Sequence, residues 1–92
     1  MSRFSEGDIV KHFKRDMLPE EEKRGNKYLY QIKGFATHTE TGEKLVIYQA
    51  LYAPFELYAR PIEMFYGEID KEKYPGVKQR FRFQRAAIPC AE

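Results

Sequence analysis

YLYQIKGFATHTETGEKLVIYQALYAPFELYARPIEMF, residues 28–65, is the stretch of this chain that decides its fold. Two β-prone runs flank the loop Thr39-Glu40-Thr41-Gly42, and its glycine suits a type I turn followed by a left-handed residue. A third short strand follows over residues 57–60, where Pro61 restricts Arg60 to an extended conformation. The stretch therefore predicts a β-hairpin with a third antiparallel strand beside it.

The register of the hairpin is predicted from the faces that it creates. A three-residue loop with a bulge gathers the aliphatic side chains on one face, which is what a buried face requires. The predicted core face consists of Phe35, Leu45, Ile47 and Leu51. The opposite face is then aromatic and polar, with Tyr30, Tyr48, Tyr52 and His38. The cross-strand pairs of this register are His38 with Lys44, Ala36 with Val46, Gly34 with Tyr48, and Ile32 with Ala50.

The segments around the hairpin complete the predicted fold. Residues 8–14 predict a first strand with Val10, His12 and Lys14 on one face. Residues 14–26 form a short charged insertion of one or two solvated helical turns or a loop. Residues 62–65 predict a single 3₁₀ turn, residues 67–76 a charged loop, and residues 77–84 the last strand. This is the layout of a small, mainly β, antiparallel barrel of the Src-homology-3-like kind.

Length and composition limit the possible functions. The 92 residues predict a single domain over 1–92, with its core at about 7–84 and a loose tail over 85–92. A net charge of only +2 gives no general argument for nucleic-acid binding. The single cysteine, Cys90, excludes an intramolecular disulfide and predicts a free thiol in a reducing compartment. Because no apolar run is long enough for a signal peptide or a membrane span, we expect a cytoplasmic protein.

Several motifs together resemble a known family. They are GDIVKHFK from Gly7, GFATHTETGEKLVIYQALY from Gly34, RPIEMF from Arg60, and Arg80-Phe81. This combination closely resembles the bacterial domain-of-unknown-function family 1653 over nearly the whole chain, from Gly7 to about Phe83. The resemblance implies a compact Src-homology-3-like barrel and brings no established activity. Residues 14–26 are longer than the connection typical of many members, so no role of that segment follows from the resemblance.

The candidate binding residues cluster around the predicted aromatic face. We expect a cleft between the hairpin and the Arg60-Pro61 turn to hold a small molecule or a peptide. Arginine grips carboxylates and phosphates with two parallel hydrogen bonds, and tyrosine rings form a floor on which planar groups stack. The predicted ligand-binding residues are His38, Tyr48, Tyr52, Arg60 and Phe65. For each of them a structural role is the alternative: a turn histidine, an arginine paired with Glu43 or Glu63, and tyrosines packed beneath a loop.

A second hypothesis is a barrel that binds nucleic acid. In the predicted last strand Lys78, Arg80 and Arg82 share one face, while Phe81 and Phe83 lie on the other. Basic stripes beside aromatic residues are typical of single-strand binders. The alternative is a charged edge strand that resists aggregation.

No pattern of the sequence predicts catalysis. The two histidines have no metal-ligand spacing, and there is no phosphate-binding glycine loop and no nucleophile elbow. We therefore expect no metal and no cofactor, and an enzyme is the least favoured of the three hypotheses.

Overall fold

The computed structural model describes residues 4–86, which form one five-stranded antiparallel sheet. The elements are β1 (Ile9–His12), two 3₁₀ turns (Phe13–Met17 and Glu22–Arg24), β2 (Leu29–Thr37), β3 (Lys44–Ala50), β4 (Leu57–Pro61), α1 (Ile62–Phe65) and β5 (Phe83–Arg85). The strand order is β4-β3-β2-β1-β5. The mainly β prediction is confirmed, and the charged insertion does contain two short helical turns. The turn at 62–65 is α-helical rather than 3₁₀, because Tyr66 N donates to Ile62 O at 3.1 Å.

The sheet is curled but not closed. Its two edges are β4 and β5, and within residues 4–86 no backbone ladder joins them. The curl nevertheless brings the edges face to face, because the guanidinium of Arg60 on β4 lies 5.8 Å from the centre of the Phe83 ring on β5. A hydrogen-bonded barrel is therefore not confirmed, and the concave face of the sheet opens along the gap between β4 and β5.

The hairpin loop is one residue longer than predicted. Gly42 N donates to His38 O at 2.9 Å and His38 N donates to Glu43 O at 2.8 Å, so the loop consists of the four residues 39–42. Thr37 then lies opposite Lys44, and an irregularity between Ile32 and Gly34 places Ile32 opposite Tyr48. The predicted register is wrong by one residue next to the loop and by two residues beyond the irregularity. The left-handed glycine is confirmed at Gly42, whose φ is +77°.

The core lies on the face that carries the tyrosines, which corrects the prediction for this sheet. The largest fully buried side chains are Val10, Leu29, Ile32, Val46 and Phe65. Tyr30, Tyr48 and Phe83 are also buried and pack with most of this set. The predicted core residues Leu45, Ile47 and Leu51 are only half-buried, and Phe35 is 42% exposed. Tyrosine buries a large apolar ring while its hydroxyl stays near water, so a tyrosine-rich face can serve as the core face.

The last strand is shorter than predicted and begins at Phe83. Residues 77–82 follow an irregular path, held by the ammonium group of Lys71, which donates to the carbonyl oxygens of Val77 and Gln79. Arg85 belongs to β5 and Ala86 N donates to Ile9 O at 2.9 Å, so these two residues are part of the sheet edge rather than of a loose tail. The rest of the predicted tail, with Cys90, lies outside the described residues.

The hairpin loop provides a first test of the fold. Gly42→Ala should lower the free energy of unfolding by about 1 kcal/mol, because a Cβ is unfavourable at a φ of +77°. Gly25→Ala is the matched control, since Gly25 has a negative φ and an added Cβ meets nothing within 4 Å. Denaturant unfolding of both variants checks the difference, and equal effects would contradict the loop geometry.

Candidate functional site

A groove runs along the gap between β4 and β5, where the concave face of the sheet opens to solvent. We call it the β4–β5 groove, and it consists of two adjoining cavities of about 240 and 350 Å³. The smaller cavity, the aromatic half, is lined by His12, Lys14, Tyr28, Tyr30, Tyr48, Tyr58, Arg60 and Phe83. The larger cavity, the basic half, is lined by His12, Phe13, Lys14, Arg60, Ile69, Asp70, Lys73, Tyr74 and Arg82. His12, Lys14 and Arg60 line both halves, so the two cavities form one site.

Strand alternation places these side chains at the open end of the core. Val10 and His12 lie on the same face of β1. Because Val10 is buried in the core on the concave side, His12 also faces that side. The same period puts Tyr58 and Arg60 of β4 on one face. The strands thus end in a row of polar and aromatic groups, where the core meets the solvent.

The aromatic half has a rigid floor. Tyr48 and Phe83 are each 4% exposed, and their ring centroids lie 5.6 Å apart. Beneath them the fully buried Phe65 stacks on Phe83 with a centroid distance of 4.1 Å and an interplanar angle of 3°. Tyr58 forms an open rim, with 41% of its surface exposed and its ring 5.5 Å from that of Tyr48. Tyr28 also lines this half, and its backbone adopts the left-handed conformation, with a φ of +65°.

A pair of hydroxyl groups braces the back of this floor. The Tyr30 and Tyr52 hydroxyl oxygens are 2.8 Å apart and share a hydrogen bond. Burial raises the pKa of Tyr30, and the hydrogen bond to Tyr52 raises it further. Tyr30 therefore stays protonated and acts as a structural donor or acceptor.

The basic half holds four cations without a carboxylate partner. Within the described residues no ion pair involves Lys14, Arg60, Lys73 or Arg82, and Asp70 is the single acidic residue of the lining. The ion pairs of residues 4–86 all lie outside the groove, as in Arg80–Glu68 at 3.1 Å. In addition, the Nε atom of Arg82 is buried and has no hydrogen-bond partner. The groove therefore concentrates positive charge and leaves at least one donor unsatisfied.

His12 sits at the junction of the two halves as a neutral ring. The pKa of His12 is lowered to about 4, mainly by burial and then by the charges of Lys14, Arg60 and Arg82 in that order. Its Nδ1 atom accepts a hydrogen bond from Lys14 N at 3.2 Å. The single ring proton therefore lies on Nε2, so His12 is a neutral donor at neutral pH.

The shifted histidine makes the stability of the domain depend on pH. Between about pH 6.5 and about pH 4, the unfolded chain binds a proton at His12 that the folded chain does not bind. The free energy of unfolding should therefore fall over this window as the pH falls, by less than about 1.4 kcal/mol per pH unit. In His12→Asn, which keeps an acceptor for Lys14 N, this part of the pH dependence should be absent. Denaturant unfolding from pH 7 to pH 4.5 checks the difference, and parallel curves would contradict it.

The structure brings some of the predicted site residues together. Tyr48 and Arg60 line the groove, and Phe65 lies beneath Tyr48 at a centroid distance of 5.0 Å. Phe65 is fully buried, so it supports the floor and does not face a ligand. Tyr52 packs behind Tyr30. His38 lies apart at the tip of the hairpin, where its Nδ1 accepts hydrogen bonds from Glu40 N and Thr41 N at 3.1 and 3.3 Å.

Sequence reasoning missed the other histidine and two of the four cations, Lys14 and Lys73. His12 and Lys14 shared a predicted face with the apolar Val10, which was a usable signal that they border the core. Tyr58 and Lys73 had no comparable signal, because their positions depend on the curl of the sheet and on an irregular loop.

The three residues of the nucleic-acid hypothesis lie in different surroundings. Arg82 is half-buried in the groove, whereas Arg80 is exposed and paired with Glu68 at 3.1 Å. Lys78 lines a neighbouring cavity of about 600 Å³ between the charged insertion and residues 73–78, which shares Lys73 and Tyr74 with the basic half. Since residues 77–82 are not a regular strand, they do not present the continuous stripe that alternation predicts.

The described part of the chain holds neither a cluster of metal ligands nor a membrane-spanning helix. Residues 4–86 contain no group of three or more His, Cys, Asp and Glu side chains that could hold a metal ion. Their helical segments include none that is long and apolar enough to cross a membrane.

Comparison with known proteins identifies a family. No curated protein and no solved structure matches the chain. The family model described as "Protein of unknown function (DUF1653)" matches residues 8–85, which include every element of the sheet and the whole β4–β5 groove. The chain therefore belongs to the DUF1653 family.

Proposed function

We propose that this chain is a non-catalytic binding module that holds an anionic ligand in the β4–β5 groove. The observation that carries the proposal is the set of four unpaired cations, Lys14, Arg60, Lys73 and Arg82, around one cavity. What distinguishes these four cations is that they line one cavity together with a single carboxylate, that of Asp70. Clustering like charges costs free energy, and an anionic ligand removes that cost.

Two further features support a binding site here. Tyrosine is a bulky residue that rarely adopts a positive φ, and Tyr28 does so where its ring lines the groove. The buried Arg82 Nε lacks a hydrogen-bond acceptor within the described residues. Strain and unsatisfied donors of this kind concentrate at functional sites.

The lining argues against catalysis. Among its residues there is no serine, threonine or cysteine to act as a nucleophile. The neutral His12 uses Nδ1 to accept from the backbone, which leaves only a donor for the ligand. A donor of this kind suits recognition of an oxyanion.

We also propose a narrower fold class and a cellular compartment for this chain. The strand order β4-β3-β2-β1-β5, with one helical turn before β5, supports a Src-homology-3-like barrel whose last seam is left open as the ligand groove. The lone Cys90 supports a reducing, cytoplasmic environment.

Titration with inorganic pyrophosphate at constant ionic strength tests the proposal. We expect backbone amide NMR shifts to change around Lys14, Arg60 and Arg82. Arg60→Gln should weaken binding by about ten-fold or more, since a hydrogen bond between charged groups contributes roughly 1.5–3 kcal/mol.

Arg80→Gln is the matched control, because Arg80 already has Glu68 as a partner and lies outside the groove. Its affinity for pyrophosphate should equal that of the unmodified chain. If Arg80→Gln and Lys78→Gln weaken binding as much as Arg60→Gln does, the anion binds along residues 78–85, as the nucleic-acid hypothesis requires. If pyrophosphate changes no signal of the groove, the proposed function is wrong.

A further inference from the structure

We infer that the ligand of the β4–β5 groove is a 5′-nucleotide unit, with its base against the aromatic half and its phosphate in the basic half. This inference rests on the proposed function and names the chemistry of its ligand. A free mononucleotide and the phosphorylated 5′ end of a nucleic-acid single strand both present this unit.

The division of the groove requires a ligand with two unlike parts. One half is walled by rings and the other by cations, and Arg60 and His12 stand at the boundary between them. The two cavities, of about 240 and 350 Å³, suit a small ligand rather than a folded partner. Inorganic phosphate fills only the basic half, and a plain aromatic ring fills only the other.

The aromatic half has the geometry that a planar base needs. Tyr58 offers an exposed ring at the rim, and Tyr48 provides a floor that Phe65 and Phe83 hold in place. Bases stack on aromatic side chains with little dependence on sequence, because every base has a π face.

The basic half has the charge that a phosphate needs. Three of its cations, Lys14, Arg60 and Arg82, also act on His12, which places them around a common point. A single carboxylate carries one negative charge, whereas a terminal phosphate carries close to two and offers three acceptor oxygens. Arginine binds such a group through two parallel hydrogen bonds, and both Arg60 and Arg82 line this cavity.

His12 supplies a readout that is independent of affinity. Burial is the main cause of its lowered pKa, and the charges of the surrounding cations add to it; a phosphate among these cations offsets their charge. Binding of a nucleotide should therefore raise the pKa of His12, and NMR of the ring measures this directly. The other titratable groups that line the basic half beside His12 and these cations are Asp70, Lys73 and Tyr74.

The experiment compares uridine 5′-monophosphate, ribose 5-phosphate, uridine and inorganic phosphate by NMR titration. We expect the nucleotide to bind at least about ten-fold more tightly than ribose 5-phosphate, and uridine alone to bind weakly. Tyr58→Ala should remove this advantage of the nucleotide over ribose 5-phosphate. Phe55→Ala is the matched control, because Phe55 is 57% exposed and does not line the groove.

A 5′-phosphorylated dinucleotide distinguishes the two sources of the ligand. Binding at least ten-fold tighter than that of the mononucleotide identifies a single-strand end, and equal or weaker binding identifies a free nucleotide. The inference is overturned if phosphate or pyrophosphate binds in the groove but uridine 5′-monophosphate binds no tighter than ribose 5-phosphate. That result leaves the proposed function standing, whereas no binding of any anion in the groove removes both.

Discussion

Phe65→Ala should destabilise the domain by about 3–5 kcal/mol, a large part of the roughly 5–15 kcal/mol that keeps a small domain folded. Phe65 has no exposed surface and stacks on Phe83 at 4.1 Å between ring centroids. It also contacts the rings of Tyr48 and Phe4, at 5.0 and 6.1 Å. Truncation leaves a cavity where α1 joins the sheet, so both the transfer free energy and the ring contacts are lost.

Phe35→Ala is the control, because it removes the same side chain from a position that is 42% exposed. We expect a loss of about 1 kcal/mol or less. Denaturant unfolding of the two variants measures both values. Equal losses for Phe35→Ala and Phe65→Ala would contradict the difference in burial between the two rings.

The strands were predictable from the sequence, and the core face was not. Alternation and turn residues located β2, β3 and β4 to within a few residues. The choice of face failed because Leu45, Ile47 and Leu51 resemble a core more than Tyr30 and Tyr48 do. Residues distant in the sequence determine which face is buried, since Phe65 and Phe83 pack on the tyrosine face. Nothing within the hairpin indicates this.

The predicted register was wrong because of two local features of the hairpin. The loop contains four residues instead of three, and one further shift occurs between Ile32 and Gly34. Both loop lengths accommodate a left-handed glycine at Gly42, so the turn residues do not distinguish them. Gly34 borders the irregularity in β2, and the backbone bends at little cost at a glycine. A glycine alone, however, does not predict a bulge.

The candidate site was predictable only in part, because segments that are distant in the sequence form it. Tyr48 and Arg60 were singled out for their chemistry and do line one groove. His12 comes from β1 and Arg82 from the approach to β5, and the curl of the sheet brings them to Arg60. His38 shared a predicted face with Tyr48, but that face ends before the hairpin tip, where His38 is occupied by backbone donors.

The groove also concentrates features that reduce stability. Four cations share one cavity, Arg82 Nε is buried without an acceptor, and Tyr28 holds a left-handed conformation. Each of these costs free energy in the unliganded chain, and the aromatic floor beneath them offsets that cost. A bound anion should therefore raise the melting temperature, because it stabilises only the folded state.

Ile32→Asp should unfold the domain, or reduce its stability by more than about 4 kcal/mol. Ile32 is 1% exposed and lies opposite Tyr48 on the concave face. A carboxylate there lies among the apolar side chains of the core, so it must either lose its hydration or take up a proton. Both routes cost several kcal/mol, and the substitution also removes a large apolar side chain from the core.

Ile47→Asp makes the same exchange on the neighbouring strand and serves as the control. Ile47 is half-buried on the other face, opposite Gly34 and Ala59. There the carboxylate reaches water, so we expect a loss of only about 1–2 kcal/mol from reduced burial and the low strand propensity of aspartate. Circular dichroism and denaturant unfolding distinguish the two variants. Because neighbouring side chains of a strand alternate between faces, a folded Ile32→Asp beside an unfolded Ile47→Asp would place the core on the opposite face of the sheet.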